Sequence, residues 1–287
     1  KGTSVHPQFW PEDLDYAGKK VVVIGSGATA VTLIPAMADD AEHITMLQRS
    51  PSYIFTLPAV DKISWFLDRF LPTKWVYGLA RKRNIAVQRR LYQACRRWPT
   101  QMRQILLWLV RKQVGPSVDM SHFTPSYMPW DERVCAVPNG DLFKVLKSGR
   151  ASVVTDEIDT FTENGILLKS GRELDADIIV TATGLNVQML GGMQLFVDGQ
   201  PRELQDQMTY KAVLVEDIPN LAWIVGYTNA SWTLKSDIAA RYLCRLFEHM
   251  AANGHTVATP HDIENSRLDV GMFDQLNSGY VQRAKHT

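Results

Sequence analysis

Residues 20–30 read Lys-Val-Val-Val-Ile-Gly-Ser-Gly-Ala-Thr-Ala and join a strand pattern to a helix pattern. The apolar, β-branched start is typical of a buried parallel strand. The glycines then fit G-x-G-x-x-G/A: the first permits a tight turn, the second lets a diphosphate approach the backbone, and the final small residue allows close packing. A tight turn without a ligand is the alternative. The predicted cofactor-binding residues are Gly25, Ser26, Gly27, Ala28, Thr29 and Ala30.

The neighbouring residues extend this pattern to a β-α-β unit. Thr29 to Ala38 is rich in Ala, Val, Leu and Ile, which suits a helix packed on a sheet, although Pro35 should distort or shorten it. His43 to Gln48 predicts the next strand. A strand, a crossover helix and a parallel strand form one unit of a doubly wound sheet, so the expected fold class is α/β.

Arg49 and Ser50 follow the second strand, where an NAD-binding protein should carry an acidic residue for the ribose hydroxyl groups. A guanidinium fork instead suits a 2′-phosphate, and the serine adds a hydroxyl donor. This arrangement predicts NADP rather than NAD. An ordinary surface ion pair of Arg49 is the alternative.

A basic helical insertion is expected at about 58–118. It is rich in Trp, Leu and Arg, with Pro72 and Thr73 as start signals for a helix and Pro99 as its end. We favour a solvated helix face whose long side chains cover apolar surface. A role toward phosphate or an anionic surface is the alternative, and nucleic acid is disfavoured because no aromatic stacking module accompanies the charge.

Short strands return after residue 150. Asn164-Gly165 and Asp198-Gly199 predict hairpin turns, and Asp177 to Thr181 predicts another buried strand. Ala222 to Val225 predicts a further strand. Leu234 to Ala252 predicts a helix that Asn253-Gly254 ends.

Composition narrows the class of protein. The chain has 287 residues, 45% of them hydrophobic, and a net charge of +1, which gives no global reason to expect nucleic acid as a partner. Its three widely spaced cysteines form no metal-binding pattern and favour free thiols in a reducing, cytoplasmic location. No apolar run reaches the roughly 18 residues of a transmembrane segment. We expect no metal and leave the oligomeric state open.

The residues before the glycine turn carry a resemblance to a family. Gly2-Thr-Ser-Val-His-Pro-Gln-Phe-Trp-Pro11 matches the tail of the F-x-G-x-x-x-H-x-x-x-W-P fingerprint of Baeyer–Villiger-type flavoprotein monooxygenases. The similarity continues through 49–51, 127–141, 181–184 and 226–235. Within that family the chain resembles the ethionamide-activating, ketone-oxidising subgroup of flavin-containing monooxygenases.

The resemblance implies an enzyme that uses FAD, NADPH and O2. Through a C4a-(hydro)peroxyflavin it would insert oxygen next to a ketone carbonyl, or oxidise the sulfur or nitrogen of a thioether, thioamide or amine. Arg133 is the implied catalytic residue, because a guanidinium stabilises negative charge on a peroxide and on the tetrahedral adduct. A pair with Asp131 or Glu132 is the alternative. Glu132 departs from ketone-specialised relatives, which often carry lysine, so no NADP contact is expected from it.

The resemblance also assigns roles to other residues. His6 lies in a hinge fingerprint and relays conformational change or holds structure. Asn229 lies near the flavin, and Trp232 lines the substrate space or belongs to the core. The chain is implied to pass from the NADP domain to the FAD domain at Ala182, Thr183 and Gly184.

The expected domains are a fingerprint segment (1–18), an NADP-binding domain (19–183) and part of an FAD-binding domain (184–287). The family's first glycine turn, which binds FAD, is missing, so we expect an internal fragment that does not retain FAD tightly by itself. Disulfide reductases are disfavoured because the chain lacks a redox-active cysteine pair, and short-chain reductases because no tyrosine after the glycine turn begins a Tyr-x-x-x-Lys motif. A non-catalytic NADP-binding module stays open.

Overall fold

The main element is a five-stranded, fully parallel sheet. The computed structural model describes residues 2–132, 134–186, 189–203, 207–227 and 231–263. Every pair of neighbouring strands in this sheet is parallel, which confirms the predicted α/β class. In sheet order the strands are β1 (Thr3–Val5), β10 (Ile178–Thr181), β2 (Lys20–Ile24), β3 (His43–Gln48) and β6 (Ala151–Thr155).

Two helices cover one face of this sheet. Helix α1 (Ala28–Met37) follows β2 and continues two residues past Pro35, which has no N–H to donate to the Val31 carbonyl oxygen. Helix α5 (Asp141–Lys147) contacts α1 and leads into β6. The larger hydrophobic core lies between helices and sheet, with members that include Val21, Val23, Ile34, Ile44, Phe143 and Val180.

The opposite face of the sheet carries a small antiparallel sheet. Its strands are β7 (Ile158–Phe161), β8 (Gly165–Leu168) and β9 (Glu173–Asp175). The β7–β8 hairpin confirms the turn predicted at Asn164-Gly165. Ile166, Leu168 and Leu174 pack with Val22 and Leu47 of the main sheet and form a second core.

Three helices form the insertion between β3 and α5. They are α2 (Lys62–Leu67), α3 (Thr73–Arg97) and α4 (Pro99–Val114). Helix α3 begins after Pro72, and α4 begins at Pro99, where a missing N–H costs no helical hydrogen bond. Two short strands, β4 (Ile54–Leu57) and β5 (Cys135–Pro138), flank these helices as a parallel pair that the sequence did not predict.

The chain divides into two compact units between Leu185 and Asn186. The second unit contains the hairpins β11 (Leu195–Val197) with β12 (Gln200–Arg202) and β13 (Thr209–Tyr210) with β14 (Leu214–Val215), followed by α6 (Trp232–Ala252). The turn at Asp198-Gly199 and the last helix are as predicted.

The strand predicted at Ala222 to Val225 is wrong. Ala222 forms a single bridge to Leu214, and the Trp223 N–H donates to the Val213 carbonyl oxygen at 2.6 Å. Among the described residues no partner extends this pairing to a ladder, so the apolar run stays outside regular structure.

No helix in the described ranges combines the length and the apolar character that crossing a membrane requires.

Candidate dinucleotide-binding site

Four of the predicted site segments lie at one edge of the main sheet. Because its five strands are parallel, their carboxyl ends meet at that edge, where open α/β sheets bind ligands. His6 follows β1, Gly25 follows β2, Arg49 follows β3 and Ala182 follows β10. The first unit therefore brings together residues that lie up to 176 positions apart in sequence.

Gly25 is fixed by both neighbouring strands. Its N–H donates to the Leu47 carbonyl oxygen at 2.8 Å, at the end of β3. Its φ is +127°, and a Cβ built there would lie 2.4 Å from the Ala182 carbonyl oxygen, just past β10. A side chain at this position is therefore excluded for two reasons: its Cβ would overlap the Ala182 backbone, and the positive φ would strain any residue other than glycine.

Gly27 faces open space at the start of α1. It is the N-cap residue, no side chain caps the helix among the described residues, and a Cβ built on it meets no atom within 4 Å. Ala28 and Thr29 are exposed, whereas Ala30 is fully buried against the sheet. The first backbone N–H groups of the helix are thus available to an anion. This cradle fits the diphosphate of a dinucleotide.

Gly27→Ala and Gly25→Ala should separate binding from folding. A methyl group on Gly27 would occupy the open space, so we expect NADP(H) affinity to fall roughly 100-fold with the melting temperature almost unchanged. Gly25→Ala should lower the melting temperature by roughly 10 °C, because strain and overlap cost about 3 kcal/mol. Titration with NADP+ and thermal unfolding measure both effects. A Gly27→Ala protein that binds NADP+ as the wild type does would show that the turn holds no diphosphate.

Arg49 and Ser50 are exposed at the end of β3. Within the described residues the Arg49 guanidinium forms no hydrogen bond or ion pair, so the simple surface pair considered above is absent. The pKa of the Glu157 carboxyl is lowered mainly by the hydrogen bond and charge of Lys169, and the charge of Arg49 lowers it further. The guanidinium is therefore free to meet a ligand from solvent.

Gln48, which the sequence did not single out, anchors the strand end that carries Arg49. Its side chain is 2% exposed and donates to the His122 carbonyl oxygen at 2.7 Å and to Thr155 Oγ1 at 2.9 Å. His122 Nδ1 also lies 2.8 Å from Thr155 Oγ1, and burial lowers the pKa of its imidazole. The sequence signal that could have identified Gln48 is a polar residue at the end of an otherwise apolar, buried strand.

His6 links the first strand to the segment after β10. Its Nδ1 accepts the Gln8 N–H at 3.2 Å, so the neutral ring carries its proton on Nε2 and donates to the Gly184 carbonyl oxygen at 3.3 Å. Thr181 Oγ1 donates to the Val5 carbonyl oxygen at 3.1 Å. Ala182 is buried, whereas Thr183 and Gly184 are exposed at the sheet edge. The imidazole thus holds the predicted cofactor segment in place.

Arg133 lies outside the described residues, but the loop before it is firmly held. Asp131 Oδ1 pairs with Arg96 of α3 at 2.9 Å, and Oδ2 accepts the Met128 N–H at 3.0 Å. The buried Tyr53 hydroxyl donates to the Tyr127 carbonyl oxygen at 2.8 Å. Each Asp131 oxygen therefore has a partner within the described residues.

Backbone conformation marks the same loop. Trp130 has φ +70°, which is uncommon for an aromatic residue, and its ring meets Tyr92 of α3 edge-on at 5.8 Å. Burial raises the pKa of the Tyr127 hydroxyl, which therefore stays protonated. Sequence patterns carried no signal for these contacts, because they join residues about 35 or more positions apart.

The second unit contains the remaining predicted residues. Asn229 lies outside the described residues. Trp232 begins α6 and is 54% exposed, so it is not a core residue of its unit. Its ring fills the space beside Gly226, where a Cβ would lie 2.1 Å from the indole. Its role toward substrate stays a prediction.

The described part of the chain contains no group of three or more His, Cys, Asp or Glu side chains suited to a metal ion. The site's donors are instead backbone N–H groups, a guanidinium and hydroxyls. A parallel α/β sheet with such donors at its carboxyl edge is typical of dinucleotide-binding proteins.

Comparison with curated proteins identifies the relatives. The chain is 73% identical over 288 residues to the FAD-containing monooxygenase MymA of Mycobacterium tuberculosis. It is 53% identical over 285 residues to the FAD-binding monooxygenase AlmA of Acinetobacter baylyi, and 49% identical over 285 residues to the FAD-containing monooxygenase EthA of M. tuberculosis. The chain is therefore a homologue of FAD-containing monooxygenases over 99% of its length, and it spans 57–58% of the length of these relatives.

Solved structures agree on the fold. The chain matches OTEMO in complex with FAD and NADP with a TM-score of 0.68 at 21% identity, covering 91% of this chain and 58% of that one. It matches an oxidised steroid monooxygenase bound to NADP with a TM-score of 0.66 at 19% identity, covering 88% and 58%. No family model matches the chain.

Proposed function

We propose that this chain supplies the NADP-binding domain and part of the FAD-binding domain of an FAD- and NADPH-dependent monooxygenase. Its substrates would be ketones, converted to esters or lactones, or compounds with an oxidisable sulfur or nitrogen. The homologous FAD-containing monooxygenases support this activity. The observation that carries the NADP assignment is the open glycine turn at Gly27 beside the exposed Arg49 on the adjacent strand end.

The first unit holds the coenzyme through three groups of atoms. The N–H groups of Gly27, Ala28 and Thr29 bind the diphosphate at the start of α1. The Arg49 guanidinium and the Ser50 hydroxyl bind the 2′-phosphate, at a strand end that buried Gln48 keeps rigid. The exposed backbone of Thr183 and Gly184 lies at the same edge and borders the coenzyme.

His6 acts in this proposal as a positioning residue. Its Nε2–H bond to the Gly184 carbonyl oxygen joins the fingerprint segment to the chain that leaves β10. A shift of the segment after β10 during coenzyme exchange would therefore be transmitted to the fingerprint. Asn229 is assigned to the cofactor and Trp232 to the substrate pocket on the resemblance alone.

The reaction needs few groups from the protein. Bound FAD would supply the two-electron chemistry that couples NADPH oxidation to the transfer of one oxygen atom of O2 to the substrate, with the other oxygen released as water. Arg133 supplies positive charge where negative charge develops on the transferred oxygen. We assign no residue of this chain to the FAD diphosphate, because its sequence holds a single glycine turn of the required kind.

Coupled turnover tests the proposal. The complete protein, supplied with FAD, should oxidise NADPH faster when a ketone or thioether is added, and should release the corresponding ester, lactone or sulfoxide. Sulfoxide without any ester would assign it to heteroatom oxidation alone. NADPH binding without substrate-stimulated oxidation would indicate a coenzyme-binding module and contradict the enzymatic proposal.

The same proposal covers the isolated chain and its location. By itself the chain should bind NADP+ but should not retain FAD, so its purified form should lack flavin absorbance. Flavin at near one equivalent per chain would contradict this. We also propose that the protein is located in the cytoplasm, where NADPH is available and cysteines stay reduced.

A further inference from the structure

The positive charge of the chain is concentrated in its helical insertion. Residues 62–114 hold 13 of the 31 Lys and Arg but one of the 30 Asp and Glu, which leaves 18 basic and 29 acidic residues for the rest. A nearly neutral protein thus carries one strongly cationic surface. Charge asymmetry of this kind attracts anionic partners over a distance set by ionic strength.

Helix α3 presents this charge on a continuous stripe. The helix has 25 residues, about 37 Å, of which only Val76 and Cys95 are buried. Positions spaced three and four apart share one exposed face. From start to end this face reads Trp75, Leu79, Lys82, Ala86, Arg89, Arg90, Gln93 and Arg97.

Exposed aromatic side chains lie at the start of α3 and on the neighbouring helix α2. Trp75 is 66% exposed, and α2, which packs on α3, exposes Trp65 and Phe66, with Phe70 just beyond its end. Arg69 lies 4.0 Å over the Trp65 ring, yet Trp65 stays 58% exposed. Arg69 thus covers one face of the Trp65 ring, but more than half of Trp65 and of Trp75 stays exposed.

We propose that this α2–α3 surface, formed by Trp65, Phe66, Phe70, Trp75, Leu79, Lys82, Arg89, Arg90 and Arg97, binds the surface of an anionic lipid bilayer. Lys and Arg attract acidic headgroups, while Trp and Phe enter the boundary between headgroups and acyl chains. Tryptophan in particular prefers that boundary. The helix would lie along the bilayer, since no described helix is able to cross one.

The mixture of charge and aromatic side chains is what favours lipid over other anions. The phosphate groups of duplex nucleic acid would bind the Lys and Arg side chains but would leave the exposed indole and phenyl rings in water. A bilayer satisfies both kinds of side chain at once. The inference stands apart from the proposed function, because it concerns a surface distant in sequence from the glycine turn and is read out without turnover.

Vesicle sedimentation tests the proposal. The purified protein should sediment with vesicles of equal parts phosphatidylcholine and phosphatidylglycerol, but not with vesicles of phosphatidylcholine alone. Raising the salt concentration should release it. Quenching by brominated lipids should report tryptophan at the headgroup boundary.

Charge and aromatic variants locate the contact. Lys82→Glu with Arg89→Glu and Arg90→Glu should weaken vesicle binding roughly 100-fold or more, since each basic residue near the surface matters substantially. The matched control replaces three exposed basic residues elsewhere, Lys19, Lys147 and Arg172, by glutamate. This charge reversal should change vesicle binding little. Trp65→Ala with Trp75→Ala should abolish quenching and weaken binding, whereas Phe161→Ala, on an exposed strand, should not.

Several outcomes would overturn the inference. Equal binding to both kinds of vesicle, or no binding by the complete protein, would mean that lipid is not the occupant and that another part of the protein or a second copy covers the surface. Tighter binding to duplex DNA than to vesicles would assign the charge to nucleic acid. If the control variant at Lys19, Lys147 and Arg172 lost as much vesicle binding as the α3 variant, the effect would come from net charge and not from this surface.

Discussion

Replacing Arg133 by alanine in the complete protein is expected to slow ketone oxygenation roughly 100- to 1000-fold while NADPH still reduces the flavin. The loss follows from removing fixed positive charge at the point where negative charge develops. In the loop before it, Asp131, Tyr127 and Trp130 contact Arg96, Tyr53 and Tyr92 respectively. Stopped-flow flavin reduction and product analysis together measure the two half-reactions.

Two companion variants make the Arg133 result specific. Arg133→Lys keeps the charge without the planar fork and should recover part of the rate. Arg96→Ala removes the ion pair with Asp131 and should reduce oxygenation about 10-fold with unchanged flavin reduction, whereas Arg90→Ala, exposed on the same helix, should not. Ester formation at nearly the wild-type rate in Arg133→Ala would remove the assigned role.

Replacing Arg49 by alanine is expected to lower kcat/KM for NADPH roughly 1000-fold and to leave the value for NADH almost unchanged. A guanidinium forms two charge-assisted hydrogen bonds to a phosphate, each contributing about 1.5–3 kcal/mol. The side chain is exposed and, within the described chain, unpaired, so no internal contact is lost with it. The NADPH-to-NADH ratio of kcat/KM is the measurement.

Two control variants make the Arg49 result specific. Ser50→Ala should reduce NADPH selectivity by less than tenfold, since it removes one neutral donor. Lys19→Ala, exposed before β2, should leave the selectivity unchanged. Equal losses with both coenzymes in Arg49→Ala would show that the residue supports the fold or the diphosphate, and not the 2′-phosphate.

Much of the dinucleotide domain followed from local sequence. The strands at Lys20–Ile24 and His43–Gln48, the helix between them and the turn at Asn164-Gly165 all form as predicted. The assignment of Arg49 to the carboxyl edge also needed nothing more than its place after a strand. The roles assigned to the site residues all stay predictions, and Arg133 and Asn229 also lie outside the described residues.

Other features had no local signal. Thr3–Val5 becomes an edge strand only because Ile178–Thr181 lies beside it, and Ile54–Leu57 pairs with Cys135–Pro138 across the helical insertion. The apolar run at Ala222 to Val225 fails to become a strand because it forms a single bridge.

Sequence by itself determined the glycine turn, the alternation of strand and helix, and the cation after the second strand, because backbone freedom and hydrophobic periodicity act over a few neighbouring residues. Tertiary structure alone decided that β10 lies between β1 and β2, that Ala182 excludes a side chain at Gly25, and that Arg96 holds Asp131. These contacts join segments between 35 and 175 residues apart. They depend on which surfaces pack together, which no local pattern of residues encodes.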